Sequence, residues 1–204
     1  MRSSKERADP AQAGRSACLA DIGVHAHSLA AFVSGLTLES VAADLTTFVP
    51  GRRLDDNAHV LMRYKGGARG VLVASQVSPG NLNNLSLRVY GTRAGLEWRG
   101  EEPELLRFTP LGQPMQTIVR GGPGTTTDAA RVSRMPAAHP EGYVEGFANL
   151  YRDAAHLIRA RRSGLSPDPA IAAAVPNVQD GLDGLRFIEA AVNSSQAGGV
   201  WQSV

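Results

Sequence analysis

The fold of this chain is constrained most by a run of short strand-like segments between residues 40 and 121. The segments are rich in β-branched residues or alternate between apolar and polar side chains, and turn sequences such as the one at residues 65–67 separate them. Parallel strands need connections of roughly a dozen or more residues, so the short connections predict antiparallel neighbours. The predicted strands are 40–49, 57–64, 68–77, 84–91 and 94–100, with two further candidates at 104–110 and 115–121.

Helical patterns flank the strand region on both sides. A short helix is predicted from Asp21 to about Gly35, a long one after Pro140 and a third over about 177–195. The apolar faces expected for the last two helices comprise Tyr143, Phe147, Leu150, Ala154, Leu157 and Ile158 in one, and Val178, Leu182, Leu185 and Val192 in the other.

The order of these elements predicts an α+β fold: an open, mainly antiparallel β-sheet with helices packed on one face. The pattern lacks the βαβ alternation of a nucleotide-binding Rossmann domain. Breakers such as Asp9-Pro10 interrupt the start of the chain, so residues 1–20 are interpreted as a lead-in or junction segment. Residues 21–204 are expected to form a single domain.

Composition and charge argue against several classes of protein. The formal net charge is only +2, the arginines are dispersed and aromatic residues make up 5% of the chain, which disfavours nucleic-acid binding. The single cysteine, Cys18, excludes an intramolecular disulfide framework and an all-cysteine zinc site. No apolar run approaches the roughly 20 residues of a membrane-spanning helix. The polar N-terminal segment does not resemble a secretory signal, so a cytoplasmic protein is expected.

Asp21 and His25 are the first candidate for chemistry. Side chains four residues apart share a face of a helix, where a carboxylate can fix the tautomer of an imidazole and leave its other nitrogen free as a base. Gly23 between them would let a ligand approach the backbone closely. The spacing by itself favours the plainer alternative, in which Asp21 caps the helix and His25 is incidental.

The other candidates carry weaker signals. His25 and His27 are two residues apart and face different sides of a helix, so a metal site is not expected. Cys18 is interpreted as a packing residue rather than a nucleophile. His139 and Tyr143 stand at the start of the long helix, where they could line a pocket or where Tyr143 could simply pack on Phe147. The plausible pocket-lining residues are Arg15, His27, His139 and Tyr143.

Three stretches together resemble the Gfo/Idh/MocA family of NAD(P)-dependent oxidoreductases. Residues 9–35 are similar to the family's junction between its nucleotide domain and its C-terminal domain, residues 139–151 to its long helix, and residues 175–201 to its closing helix and last strand. Their order and the strands between them agree as well. The resemblance therefore implies the family's C-terminal, dihydrodipicolinate-reductase-like domain.

The resemblance also implies a function. The family's Asp-x-x-x-His motif falls on Asp21 and His25. His25 would take the proton of a substrate hydroxyl while hydride leaves the same carbon for NAD or NADP, and Asp21 would orient His25 or contact a neighbouring hydroxyl. The implied substrate is a sugar, inositol or related polyol. The implied assembly is a homo-oligomer formed through the open sheet face, with candidate contributors Val60, Met62, Tyr64, Val71 and Val73.

The family's N-terminal Rossmann domain has no counterpart in this sequence. Its glycine-rich phosphate turn and its Glu-Lys-Pro segment are missing, and the lysines are Lys5 and Lys65. The expectation is thus the C-terminal half of such an enzyme, as a natural truncation or as the partner of a separate Rossmann-domain chain. No cofactor-binding residues are predicted here, and the chain by itself is expected to be inactive. The alternative is a non-catalytic binding or assembly module that keeps the fold.

Overall fold

The structure, a computed structural model, describes residues 9–204, which form two compact units. The first unit contains the described residues up to Leu82 together with Val178–Val204, and the second contains Asn83–Asn177. The sheet of the first unit is formed by β1 (Leu38–Thr46), β2 (Asn57–Tyr64), β3 (Arg69–Ser75) and β8 (Gln202–Ser203). Its helices are α1 (Pro10–Ala13), α2 (Val24–Ser34) and α6 (Val178–Gln196), and a π-helical turn (Leu19–Gly23) directly precedes α2.

The sheet of the first unit is antiparallel, with strand order β3-β2-β1-β8. Side chains on alternate positions point to opposite faces of a strand. One face is buried and packs with residues of the π-helical turn and α6 into the core. The core residues are Cys18, Leu19, Leu38, Val41, Ala43, Ala58, Val60, Met62, Tyr64, Leu72, Ala74, Phe187, Ala190 and Ala191.

The opposite face of this sheet is open and carries Leu61, Val71 and Val73, which are 50%, 69% and 62% exposed. Leu61 pairs with Val71 across β2 and β3, so the two side chains lie side by side. The expectation that Val60, Met62 and Tyr64 contribute to the open face is wrong, because these side chains lie on the buried face. The alternating side chains of β2 point to two faces as expected, and the apolar set of alternate residues is the buried one.

Two serines of α6 satisfy the amide groups of β1 that β8 does not reach. Ala43 N–H donates to Ser194 Oγ at 2.9 Å, and Leu45 N–H donates to Ser195 Oγ at 3.0 Å. The Ser194 hydroxyl is buried and donates in turn to the Val200 carbonyl oxygen. Because unpaired buried amides are costly, these bonds fix α6 against the edge of the sheet.

The apolar face expected for α6 is largely wrong. Val178 and Leu185 are 90% and 61% exposed, and Leu182 is also exposed, whereas Val192 is buried. The buried side of α6 is instead built from small residues around Phe187, namely Gly184, Ala190, Ala191 and Ser194. Small side chains let the helix approach the sheet closely, so size rather than hydrophobicity selects this face.

The second unit contains a four-stranded antiparallel meander of order β4-β5-β6-β7 and three helices. The strands are β4 (Ser86–Tyr90), β5 (Ala94–Arg99), β6 (Leu105–Pro110) and β7 (Gln116–Val119). The helices are α3 (Thr127–Val132), α4 (Tyr143–Arg162) and α5 (Pro169–Ala174). Arg131 of α3 donates to both carboxylate oxygens of the buried Asp153 of α4.

The apolar face expected for α4 is not a buried face within this unit. Tyr143, Phe147, Leu150 and Ile158 are all exposed, and the buried residues of α4 are Asp153 and Ala160. Ala154 and Leu157 of the expected face are half-buried, and the ion pair of Asp153 with Arg131 connects α4 to α3.

The α+β class with open antiparallel sheets is confirmed. One detail is corrected: the strands form two sheets rather than one, because the ladder stops after β3 and restarts at β4. Residues 76–85 separate the two and include Pro79-Gly80, which pairs with neither strand. Over residues 9–204, none of the helices has the length and apolar character needed to cross a membrane.

Candidate functional site

Asp21 lies inside the π-helical turn that precedes α2. The Val24 N–H donates to the Leu19 carbonyl five residues earlier, which is the π-helical pattern, and the Asp21 N–H donates to the Ala17 carbonyl. Asp21 is thus within the helical segment rather than at its N-cap, so the capping alternative is wrong. Asp21 is half-buried, and His25 is exposed in the first turn of α2. Single π-helical turns recur at functional sites in proteins.

Gly23 has a packing role in the structure. It is buried, and a Cβ atom at this position would lie 2.6 Å from Leu19 Cδ1 and 3.4 Å from Ala74 Cβ. The expectation that Gly23 leaves room for a ligand is therefore wrong. The missing side chain instead lets the π-helical turn approach β3.

The buried Asp55, two residues before the first residue of β2, anchors the start of this turn. Its carboxylate accepts the Ala17 N–H at 2.8 Å and the Leu19 N–H at 2.9 Å, and its carbonyl oxygen accepts the Cys18 N–H at 3.1 Å. Amides at a helix start have no partner within the helix, and a carboxylate is the acceptor best suited to them. Three bonds thus connect the sheet to the residues that lead into the turn.

Gln76, directly after β3, contacts the candidate carboxylate itself. Its side-chain amide donates from Nε2 to Asp21 Oδ2 at 3.3 Å, and its backbone N–H donates to the Asp56 carbonyl at 2.8 Å. The sequence pattern did not identify Asp55 or Gln76. The signal available was their position. Both are polar residues next to the end of a strand, and these two strand ends lie at the same end of the antiparallel sheet.

Cys18 is buried beneath this turn. Burial, followed by the nearby charge of Asp55, raises the pKa of its thiol to about 12. A thiol that stays protonated at neutral pH is a poor nucleophile, in agreement with its interpretation as a packing residue.

Two of the other candidates in the first unit already have partners within it. The Arg15 guanidinium forms an ion pair with Glu189 and donates to Gln196 Oε1 at 2.9 Å, both on α6. The His27 ring is 6% exposed and stacks on Phe187 with the ring centroids 4.4 Å apart. Substrate contact by either residue stays a prediction.

The remaining two candidates belong to the second unit. The His139 carbonyl accepts a hydrogen bond from Arg120 at 2.8 Å, and its ring Nδ1 lies 3.2 Å from the Ala137 carbonyl oxygen. Tyr143 is 82% exposed, and its ring contacts that of Phe147 with the centroids 4.8 Å apart. The packing of Tyr143 on Phe147 at the start of the helix is present, while a role in substrate binding stays a prediction.

The described part of the chain, residues 9–204, contains no group of three or more histidine, cysteine, aspartate or glutamate side chains that could hold a metal ion. At the π-helical turn the structure places a carboxylate, an imidazole and an amide. Such a set can accept or donate hydrogen bonds to hydroxyl groups and can move a proton.

Comparison with known proteins agrees with this architecture. Residues 2–97 match the model of the GFO/IDH/MocA C-terminal domain. An oxidoreductase structure from Sinorhizobium meliloti is 50% identical with a TM-score of 0.86, covering 90% of this chain and 51% of that one. An inositol dehydrogenase homolog from Azotobacter vinelandii, solved with NAD+, is 36% identical with a TM-score of 0.91, covering 98% and 52%. The same homolog was also solved with NADH and myo-inositol.

A further relative is the uncharacterized oxidoreductase YfiI of Bacillus subtilis strain 168, which is 34% identical over 201 residues. The match covers 97% of this chain and 50% of the relative. The chain thus spans about half the length of the proteins it matches. The family model, the related sequence and the similar structures all indicate the same family. The chain carries the C-terminal domain of the Gfo/Idh/MocA family.

Proposed function

We propose that this domain supplies the substrate side of an oxidoreductase that transfers hydride between NAD(P) and a hydroxyl-bearing carbon of a sugar, inositol or related polyol. The observation that carries the proposal is the placement of Asp21 and His25 around a π-helical turn that Asp55 anchors to the sheet. The complex of the Azotobacter vinelandii homolog with NADH and myo-inositol supports the substrate class.

In this proposal His25 is the base. Its exposed imidazole accepts the proton of the substrate hydroxyl. The electron pair of that O–H bond becomes the second bond of the carbonyl as the C–H pair leaves with the hydride. Asp21 accepts a hydrogen bond from a neighbouring hydroxyl or orients the imidazole. A positioned base of this kind contributes roughly 10²–10⁴-fold in rate.

The dinucleotide does not fit the described residues. Every strand pair between residues 9 and 204 is antiparallel, whereas the pyrophosphate cradle of NAD(P)-binding domains is a turn between a strand and a helix of a parallel sheet. We therefore propose that NAD(P) is held outside this domain. Titration of the purified chain with NADH, followed by nicotinamide fluorescence, should show no saturation in the micromolar range; saturable binding would contradict this part of the proposal.

The substrate side is tested by polyol binding to the chain. Addition of myo-inositol to 15N-labelled protein should shift the amide resonances of residues 19–27. For His25→Ala, the concentration of myo-inositol that gives half of the full shift should be about tenfold higher. His59→Gln is the matched control, because His59 is an exposed histidine on β2 of the same unit. Equal binding by His25→Ala and wild type would remove His25 from the site.

The catalytic part is tested after joining the chain to the nucleotide-binding half of the Azotobacter vinelandii homolog. Polyol-dependent reduction of NAD+ is expected for the joined protein and a loss of 10²–10⁴-fold for His25→Ala. A joined protein that folds, binds NADH and myo-inositol, and reduces no NAD+ would favour the alternative of a non-catalytic binding module.

We further propose that copies of the chain associate through the open face of the first sheet. The neighbouring side chains Leu61, Val71 and Val73 leave an apolar surface in water there, and burial against a second copy would remove it.

A further inference from the structure

The open face of the first sheet carries opposite charges at its two ends. Its middle row consists of Val71, Leu61 and Ala42, which are in register across β3, β2 and β1. Arg63 lies two residues beyond Leu61 on β2, and Asp44 lies two residues beyond Ala42 on β1, at the opposite end of the face. Residues two apart on a strand point to the same face, so an apolar row separates a positive end from a negative end.

The Arg63 guanidinium extends across the sheet toward Trp201, the residue directly before β8. Its Cζ atom lies 3.7 Å from the centroid of the Trp201 ring, and β1 stands between β2 and β8 in the strand order. The guanidinium therefore lies over β1, the strand that also carries Asp44. A guanidinium that stacks on a ring by its face keeps the N–H groups of its edge for a carboxylate.

Neither charge is neutralised within the part of the chain that the structure describes, residues 9–204. Arg63 is in register with Arg69 of β3, and like charges directly opposite each other on neighbouring strands are destabilising. Asp44 accepts a hydrogen bond from Thr46 Oγ1 at 3.3 Å and forms no ion pair in this range. Arg63 is in register with Ser40, four residues from Asp44, so the two charged residues are about 13 Å apart along the strands.

A second copy that is turned end over end supplies both missing partners. Two sheets pack face to face about 10 Å apart. A two-fold axis across the strands, through the middle row, sets β1 of one copy against β1 of the other in the opposite direction. Leu61 and Val71 then meet the same row of the second copy, and Asp44 meets the end where the second copy's Arg63 lies. Because such an interface is isologous, this contact forms twice.

We propose that two copies of the chain pair end over end through the open face, with Asp44 of each copy bound to the Arg63 guanidinium of the other. This arrangement rests on the proposed association through that face, and it adds the orientation of the two copies and the residues that select it. Copies packed with their strands in the same direction would instead bring Arg63 against Arg63, which charge repulsion disfavours.

Charge reversal at either end tests the contact. Asp44→Arg and Arg63→Asp should each raise the dissociation constant of the dimer about 10–100-fold, because each puts like charges together at both symmetric contacts. Sedimentation velocity over a range of protein concentrations measures this constant. Arg53→Asp is the matched control, since it makes the same change of charge at an exposed residue outside the strands and should leave the constant unchanged.

A mixture of the two variants shows whether the contact joins different copies. In a mixed dimer of Asp44→Arg with Arg63→Asp, one contact is the original pair and the other is an arginine against an aspartate with the positions exchanged. The mixed dimer should therefore form with a dissociation constant within about threefold of wild type. Damage inside either chain would not be repaired by mixing. Arg63→Gln takes the place of Arg63→Asp if circular dichroism shows that the latter does not fold, and it should also dimerise with Asp44→Arg more tightly than Asp44→Arg does with itself.

The results separate this arrangement from the association on which it rests. Recovery in the mixture supports the arrangement. Single variants that dimerise as tightly as wild type, or a mixture that dimerises no better than the single variants, overturn the arrangement and leave association through the open face standing. If the wild-type chain is a monomer at every concentration, the association and the arrangement both fail.

Discussion

His27 lies on α2 and is buried within the first unit. Its ring is enclosed in the first unit and stacked on Phe187. Its Nδ1 atom is buried and has no hydrogen-bond partner among residues 9–204. Burial lowers the pKa of the imidazole, and the charge of Asp183 opposes that shift without cancelling it. A histidine of this kind is kept neutral by the fold.

The lowered pKa predicts how stability depends on pH. The unfolded chain takes up a proton at His27 near pH 6.5, whereas the folded chain does not until lower pH, so the free energy of unfolding should fall as the pH drops below 6.5. Above that pH the effect vanishes. His27→Phe keeps the stacked ring and should lack this contribution. Urea unfolding at several pH values between 8 and 5 measures it; parallel curves for the two proteins would contradict the prediction.

Asp55 is expected to carry more stability than the exposed carboxylates of the first unit. Asp55→Ala leaves the amides of Ala17 and Leu19 without their acceptor in a buried place, at a cost of about 2–4 kcal/mol. Asp44→Ala is the control, since Asp44 is exposed on β1 and should change stability by less than about 0.5 kcal/mol. Denaturant unfolding compares the two, and equal losses would show that Asp55 is no anchor.

At the scale of secondary structure, the close approach of the π-helical turn to β3 determines where the candidate site lies. Gly23 permits this approach, and Asp55 and Gln76 connect the turn to the neighbouring ends of β2 and β3. The site is therefore a junction of one turn and two strand ends, and its geometry depends on how closely they pack.

A pair of glycine substitutions tests that packing. Gly23→Ala places a Cβ 2.6 Å from a methyl group of the buried Leu19, which has little room to move, and should cost about 1–3 kcal/mol. Gly181→Ala in α6 meets nothing within 4 Å and should stabilise the protein by about 0.5–1 kcal/mol through helix propensity. Thermal and denaturant unfolding measure both. A Gly23→Ala protein as stable as Gly181→Ala would mean that the turn can move away from β3.

Local patterns predicted the elements well because these patterns arise from neighbouring residues. The strand predicted at 57–64 is observed as Asn57–Tyr64, and the helix predicted to end near Gly35 ends at Ser34, where Gly35 adopts a left-handed conformation. The division into two sheets was not predictable in this way. It depends on which strands pair in the folded chain, which the pattern within each strand does not specify.

The residues of the candidate site also fall into two groups, those close together in the sequence and those far apart in it. Asp21 and His25 are four residues apart, so their spacing and the family resemblance identified them. Asp55 and Gln76 are separated from their partners by 36 and 55 residues at the closest contacts, and nothing local marks them. Only the folded chain brings these groups together.

The two units of the molecule expose sheets of different chemistry. On the second sheet, Glu97 lies among Arg88, Arg99 and Arg107 in a set of ion pairs, which suits contact with water. The open face of the first sheet instead exposes Leu61 and its neighbours. Burial of apolar surface is worth about 25 cal/mol per Å², so covering the apolar residues of the first face would be favourable.

That difference predicts the effect of charges on assembly. The double substitution Val71→Lys and Val73→Lys should convert an oligomer of the chain to a monomer, because it places charges in the proposed contact. Leu82→Lys is the control, since Leu82 is 91% exposed outside the strands. Sedimentation velocity reports the change, and an unaltered oligomer in the double variant would assign association to another surface.

The π-helical turn also makes the candidate site sensitive to the number of residues in the turn. Each residue of a helix advances the backbone by about 100° around the axis, so losing one residue between Leu19, which Asp55 holds, and α2 would rotate His25 by about that angle relative to the sheet. Such a deletion could leave the Asp-x-x-x-His spacing unchanged while the two side chains pointed in another direction. Among relatives of this chain, a one-residue gap in this turn should therefore mark a protein that has changed or lost its chemistry even where both motif residues are retained.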